Sequence, residues 1–192
     1  MIPIETHKKL MGLWPGRKYA EPGRLKKRLH HLELLLPLLS GKDVFELASN
    51  AGITAAEITK HSRSYVGVEP DEDYYSQSLI TKGACYPGRT AQFKNGYLFD
   101  HSKEEYNAFV ICVALYLLNG KEKDELEKEV FPKCDIVIIQ ERTARRPVTK
   151  KYNRFSFHKP KAIRNFLVEN GFNADIYYST KEKYFEIIGI KV

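Results

Sequence analysis

Residues 43–52, Asp43-Val44-Phe45-Glu46-Leu47-Ala48-Ser49-Asn50-Ala51-Gly52, decide the fold. Asp43 to Leu47 is a short, mostly apolar strand with an acid near its end. It runs into a turn of small residues, and the following Ile53 to His61 suits a helix. Ser64-Tyr65-Val66-Gly67-Val68-Glu69 repeats the theme as a second strand ending in an acid. Pro70 and the acids Asp71, Glu72 and Asp73 then open a further helix that reaches about Lys82, because proline and negative charge both suit a first helical turn.

Downstream, Thr90 to Phe93 is a weak third strand, and Ala108 to Ala114 is an uninterrupted apolar run, the pattern of a parallel strand covered on both faces. Lys121 to Val130 reads as a charged surface helix, and Asp135 to Gln140 repeats the buried-strand pattern. Pro160 to Glu169 fits a helix with Ile163, Phe166 and Leu167 on one face and Gly171 as its stop. Two terminal strands follow, Asp175 to Ser179 and Tyr184 to Val192. This alternation predicts an α/β three-layer sheet of about seven strands, mostly parallel with a C-terminal antiparallel hairpin. Upstream, Leu25, Leu29, Leu32 and Leu36 recur at helical spacing beside Arg24, Lys27, Arg28 and His31, and Pro37 and Gly41 mark the stop. The expected organisation is one domain: a basic helical extension over residues 1–40 and a core over 41–192.

With 192 residues, 43% apolar and 29% charged, the chain suits one globular core and excludes disordered, collagenous and disulfide-stapled classes. No apolar run approaches the ~18 residues of a membrane span; Leu34 to Leu39 is broken by Pro37. The N-terminus lacks the apolar core of a signal peptide, so a soluble cytoplasmic protein without membrane contact is expected. Cys85, Cys112 and Cys134 are widely spaced with no Cys-x-x-Cys pair. Reduced thiols and no metal site are expected, with Cys112 in the core.

The net charge of +7 is segregated. Residues 1–31 carry eight Lys/Arg against two acids, and residues 142–164 carry nine and no acid. If folding brings these blocks together they form a surface for a phosphate-rich partner, a nucleic acid or nucleotide; the alternative is two solvated faces.

Open parallel sheets bind ligands beyond the carboxyl ends of their strands. Glu69 lies 23 residues after Glu46, the separation at which a second-strand acid receives a ribose diol. Strand, small-residue turn and acid therefore suit a nucleoside-containing cofactor. The turn lacks the Gly-x-Gly-x-x-Gly of a nicotinamide site.

These residues resemble the class I S-adenosylmethionine-dependent methyltransferases. VFELASNAGITAAEI (44–58) is similar to their first motif, YVGVEPDEDYY (65–75) to their second, and FVICVALYLL (109–118) to their fourth strand and the loop after it. The resemblance spans about residues 40–192 and implies a Rossmann-like fold with S-adenosyl-L-methionine as cofactor. It implies Glu46 near the methionine amino group, the backbone of Ala48, Asn50 and Gly52 facing methionine and ribose, Glu69 on the ribose hydroxyls and Pro70 beside the adenine. Tyr97 and Leu98 would make the adenine edge contact, and Ala114, Leu115 and Tyr116 would close the pocket next to the transferred group. The family's first motif is usually acid-x-Gly-x-Gly-x-Gly, and Ala48 and Asn50 stand at two of its glycines.

A narrower similarity links Leu115-Tyr116-Leu117 and Asn153-Arg154-Phe155-Ser156-Phe157-His158 to the wobble-uridine tRNA carboxymethyl- and methyltransferases. Leu117 stands where that family has His. By this analogy Tyr116 and Arg154 are substrate-side candidates and His158 a candidate base. Glu141 is either a cleft acid or an exposed strand-end acid. The leading expectation is a methyltransferase acting on a nucleic acid or nucleotide. A small-molecule O- or N-methyltransferase and a catalytically silent, basic Rossmann-like binding module are the alternatives.

Overall fold

The structure is a computed structural model that describes residues 35–112, 114, 115, 118, 120–142, 160–178 and 184–192. The basic block 1–31, residues 143–159 of the block 142–164, and with them Arg154 and His158, as well as Tyr116, lie outside the described residues. Seven strands form one sheet in the order β3-β2-β1-β4-β5-β7-β6. They are β1 (Asp43–Leu47), β2 (Ser64–Glu69), β3 (Thr90–Asn95), β4 (Ala108–Cys112), β5 (Ile136–Arg142), β6 (Phe172–Tyr178) and β7 (Tyr184–Lys191). The first five run parallel, and β7 pairs antiparallel with both β5 and β6.

The helices are α1 (Ala55–Ile58), α2 (Glu72–Thr81), α3 (Leu98–His101), α4 (Gly120–Glu125, continuing as a π-helical turn over Leu126–Val130) and α5 (Pro160–Glu169). On one face Leu126, Val130, Phe131, Ile163, Phe166 and Leu167 pack on Phe45, Phe109, Val137 and Phe185. On the other, Leu36, Leu39, Ile53, Ala55 and Ile58 cover Val44, Tyr65, Val110, Ile138 and Ile188. The result is the three-layer arrangement, with β4 buried at every position because both faces are covered.

Several boundaries differ from the sequence expectation. Near the expected stop at Pro37 and Gly41, the α-helical backbone at Leu35 gives way to a 3-10 segment, Leu36–Leu39, with Pro37 in its first turn, where its missing N–H costs no hydrogen bond. The helix expected over Ile53 to His61 contracts to Ala55–Ile58 inside turns. β6 begins at Phe172, earlier than Asp175, because Phe172 already pairs with Lys191 and its ring is core. Glu141 belongs to β5 and is buried, so the exposed strand-end reading is corrected.

Candidate cofactor site

Strand order reverses between β1 and β4, so the carboxyl ends of these strands frame a cleft. The loop from Ala48 to Gly52 forms its floor. Ala48 (φ 55°), Asn50 (φ 57°) and Gly52 (φ 72°) are all left-handed, so the backbone keeps at three alternate positions the shape that glycines ordinarily supply. For an alanine this costs roughly 1–2 kcal/mol, whereas Asn visits the region more readily. Gly52 has a second constraint, since a Cβ there would lie 2.6 Å from the Phe93 ring.

Two carboxylates hold the loop in this shape. Glu46 is fully buried beneath it and accepts from the Thr54 hydroxyl at 2.5 and 2.6 Å and from the Tyr65 hydroxyl at 2.5 Å. Burial, and then the neighbouring Glu46 charge, push the Tyr65 phenol well above its ordinary value, so it remains a proton donor. The Tyr65 ring meets Phe93 edge-on at 5.6 Å, and Phe93 in turn backs Gly52. Gly67 leaves room for this packing, because a Cβ on it would lie 2.5 Å from the Tyr65 oxygen. Tyr65, Thr54 and Phe93 were not singled out from the sequence. The available signal was Tyr65 and Gly67 sharing one face of β2 by the period of two.

Glu69, at the end of β2, is the second clamp and is 6% exposed. Its Oε2 accepts from the Asn50 amide at 2.8 Å and its Oε1 from the Asp71 amide at 3.0 Å. Asn95 holds the Glu69 carbonyl through its side-chain amide at 3.0 Å. Burial raises the Glu69 pKa above the ordinary carboxylate value, and the two amide bonds act against that rise. An ionised carboxylate offers about four acceptor positions. With one amide on each oxygen, Glu69 retains an acceptor position on both, which is what a vicinal diol needs. The site's residues therefore fit a ribose-bearing cofactor.

The remaining expected residues divide clearly. Tyr97, at the start of α3, is 59% exposed, and Pro70 is exposed at the same end of the sheet. Leu98 is fully buried in the core, so only its backbone is left for an edge contact. Ala114 and Leu115 are also buried, in the core layer shared with α4 and α5. Cys112 is buried in β4 as expected of a core residue.

No protein-family model matches the sequence, and no curated protein matches it. Solved structures do match in shape. Magnesium protoporphyrin IX methyltransferase from Synechocystis PCC 6803, with S-adenosylhomocysteine bound, superposes with a TM-score of 0.70 at 14% identity, covering 98% of this chain and 94% of that one. This is the class I methyltransferase fold. The DhpI complex with S-adenosylhomocysteine matches with a TM-score of 0.67 at 14% identity, over 98% of this chain and 94% of the other. A candidate RNA methyltransferase from Pyrococcus horikoshii gives 0.64 at 15% identity, over 99% and 100%. The methyltransferase fold is thus shared with proteins of different acceptors, and its sheet order here, with the antiparallel β5-β7-β6 end, agrees with the terminal hairpin expected from the sequence.

Proposed function

We propose that this protein is an S-adenosylmethionine-dependent methyltransferase acting on a nucleic acid or nucleotide in the cytoplasm. The observation that carries the reading is Glu69, held at the carboxyl end of β2 by two amides with an acceptor position left on each oxygen. When bound, the cofactor supplies an electrophilic methyl on a sulfonium. The chain's task is then to position the acceptor in line and exclude water. Glu69 binds the ribose diol, the left-handed backbone at Ala48, Asn50 and Gly52 admits the cofactor close to the sheet, and Pro70 and the backbone at Tyr97 and Leu98 contact its base. Tyr116 and Arg154 orient the acceptor, and His158 takes its proton where one must leave.

The acceptor class is supported by charge: blocks of eight and nine Lys/Arg at residues 1–31 and 142–164 suit a phosphate backbone. No helix among the described residues is long and apolar enough to cross a membrane.

The test is transfer of labelled methyl from S-adenosylmethionine to separated pools of RNA, DNA, nucleotides and small metabolites. Incorporation into a nucleic acid or nucleotide, abolished by Glu69→Ala, supports the reading. Incorporation only into a metabolite makes the protein a small-molecule methyltransferase. No cofactor binding leaves the silent basic module, the reading that the substituted glycines Ala48 and Asn50 favour.

A further inference from the structure

A groove of about 610 Å³ runs along the free edge of β3, lined by Leu79, Lys82, Arg89, Gln92, Phe93 and Lys94 among others. Its charged lining is entirely basic. Lys94 is paired with Glu104, whereas Lys82 and Arg89 have no acidic partner among the described residues. The strand is the last of the sheet on this side, so nothing in the sheet covers its outer edge. From Arg89 to Lys94 the backbone spans about 17 Å at ~3.3 Å per residue.

Exposed aromatics stand at both ends of this basic strip. Tyr86 is 50% exposed and Tyr97 is 59% exposed. Tyr86 is not on a loose tail: Tyr86-Pro87-Gly88-Arg89 is a tight turn closed by the Arg89 amide on the Tyr86 carbonyl at 3.2 Å, with Gly88 at φ 80°. The Tyr86 amide donates to the Thr59 hydroxyl at 3.0 Å, which ties the turn to the sequence just after α1. The turn therefore brings the backbone of Tyr86 and Arg89 together at one end of the strand. At the other end Tyr97 opens α3, beside the carboxyl ends of β2 and β3 where the cofactor site lies.

We propose that the β3 edge is a track for a single-stranded nucleic acid, with its phosphates on Lys82, Arg89 and Lys94 and its bases stacked on Tyr86 and Tyr97. Cations that follow a backbone, interleaved with exposed rings, form the general recognition surface for unpaired strands, because every base offers a face to stack. An acidic peptide would use the cations but has no need of the two rings, which is why a nucleic acid is favoured. At ~3.4 Å per stacked step the strip accommodates about five nucleotides. It leads one end of the strand toward the cofactor cleft. The track rests on the nucleic-acid reading of the acceptor, and its residues belong to neither of the sequence blocks 1–31 and 142–164.

The experiment uses the full chain and a fluorescein-labelled oligouridylate, read by anisotropy over a salt series. Lys82→Glu/Arg89→Glu is compared with a charge-matched control on exposed residues away from the groove and outside both basic blocks, Lys128→Glu/Lys191→Glu, on α4 and β7. Losing two phosphate contacts lowers the single-strand salt slope by about 1.4 and the affinity at least tenfold, and Tyr86→Ala costs about five- to hundredfold. The control pair is expected to bind as wild type does. S-adenosylhomocysteine binding, measured in parallel, is expected to be unchanged in every variant. Equal losses in the groove and control pairs would overturn the track in favour of diffuse charge, as would a groove pair that binds like wild type. Oligoglutamate binding as tightly as the RNA would assign the groove to an acidic peptide. Wild-type protein that binds S-adenosylhomocysteine but no RNA would overturn both the track and the nucleic-acid acceptor, leaving the cofactor assignment standing.

Discussion

Removing the Tyr65 hydroxyl tests how the cofactor loop is built. Tyr65→Phe keeps the ring, its edge-on contact with Phe93 and the volume beneath Gly67, and deletes only the donor 2.5 Å from Glu46 Oε2. Glu46 is fully buried, so no water replaces the lost donor, and Thr54 alone is left of the two hydroxyls on the carboxylate. A hydrogen bond to a charged group contributes about 1.5–3 kcal/mol. In a chain of this size each kcal/mol corresponds to about 2–4 °C in Tm, so the variant is expected to melt about 3–12 °C below wild type. Urea unfolding followed by circular dichroism gives the free-energy change directly. Tyr177→Phe, at a half-exposed position on β6, is the control and is expected to stay within about 0.5 kcal/mol. A Tyr65→Phe variant as stable as that control would refute the idea that Tyr65 and Glu46 brace the loop from below.

Burial raises the folded-state Glu69 pKa above 4.5, so the folded protein holds this proton more tightly than the unfolded chain and Glu69's contribution to stability diminishes as pH rises from that value. Protonation also converts an acceptor oxygen into a donor, so calorimetric S-adenosylhomocysteine affinity should fall as pH drops, with a midpoint above 4.5, while Glu69→Gln binds about tenfold or more weakly at neutral pH and loses that dependence. Among the thiols, Cys134 is buried with its pKa pushed up to about 12 and Cys112 is buried in β4, whereas Cys85 is only partly covered. A thiol reagent on native protein should therefore modify Cys85 first and the other two only on unfolding; rapid labelling of three thiols would contradict the packing.

The strands were legible because each is a local pattern. Val44 to Leu47, Ala108 to Cys112 and Ile136 to Ile139 are apolar runs bounded by turn signals, and the acids Glu46 and Glu69 mark strand ends. Sequence spacing also placed Glu69 against the loop, where its carboxylate meets Asn50. What it did not reveal were contacts made across the sheet. Tyr65 lies 19 residues from Glu46 in sequence, and the two meet only because β1 and β2 pair in parallel with Glu46 opposite Gly67. Leu98 follows a turn and reads as a loop residue, yet it closes the core where α3 packs down. The left-handed shape of Ala48 and Asn50 accords with their place at two glycine positions of the first motif; what the sequence did not reveal was the hydrogen bonding around the loop, from the Asn50 amide to Glu69 and from the Ala51 amide to the Asn50 side chain.

In the proposed function, the loop and Glu69 bind the nucleoside part of S-adenosylmethionine. Thermal unfolding of the wild-type chain with and without S-adenosylhomocysteine tests it most directly. A ligand at 100 times its dissociation constant stabilises the native state by about 2.7 kcal/mol, so a saturable rise in Tm is expected, much reduced in Glu69→Ala. A Tm that does not move at millimolar ligand would contradict the claim and leave the methyltransferase fold here without its cofactor.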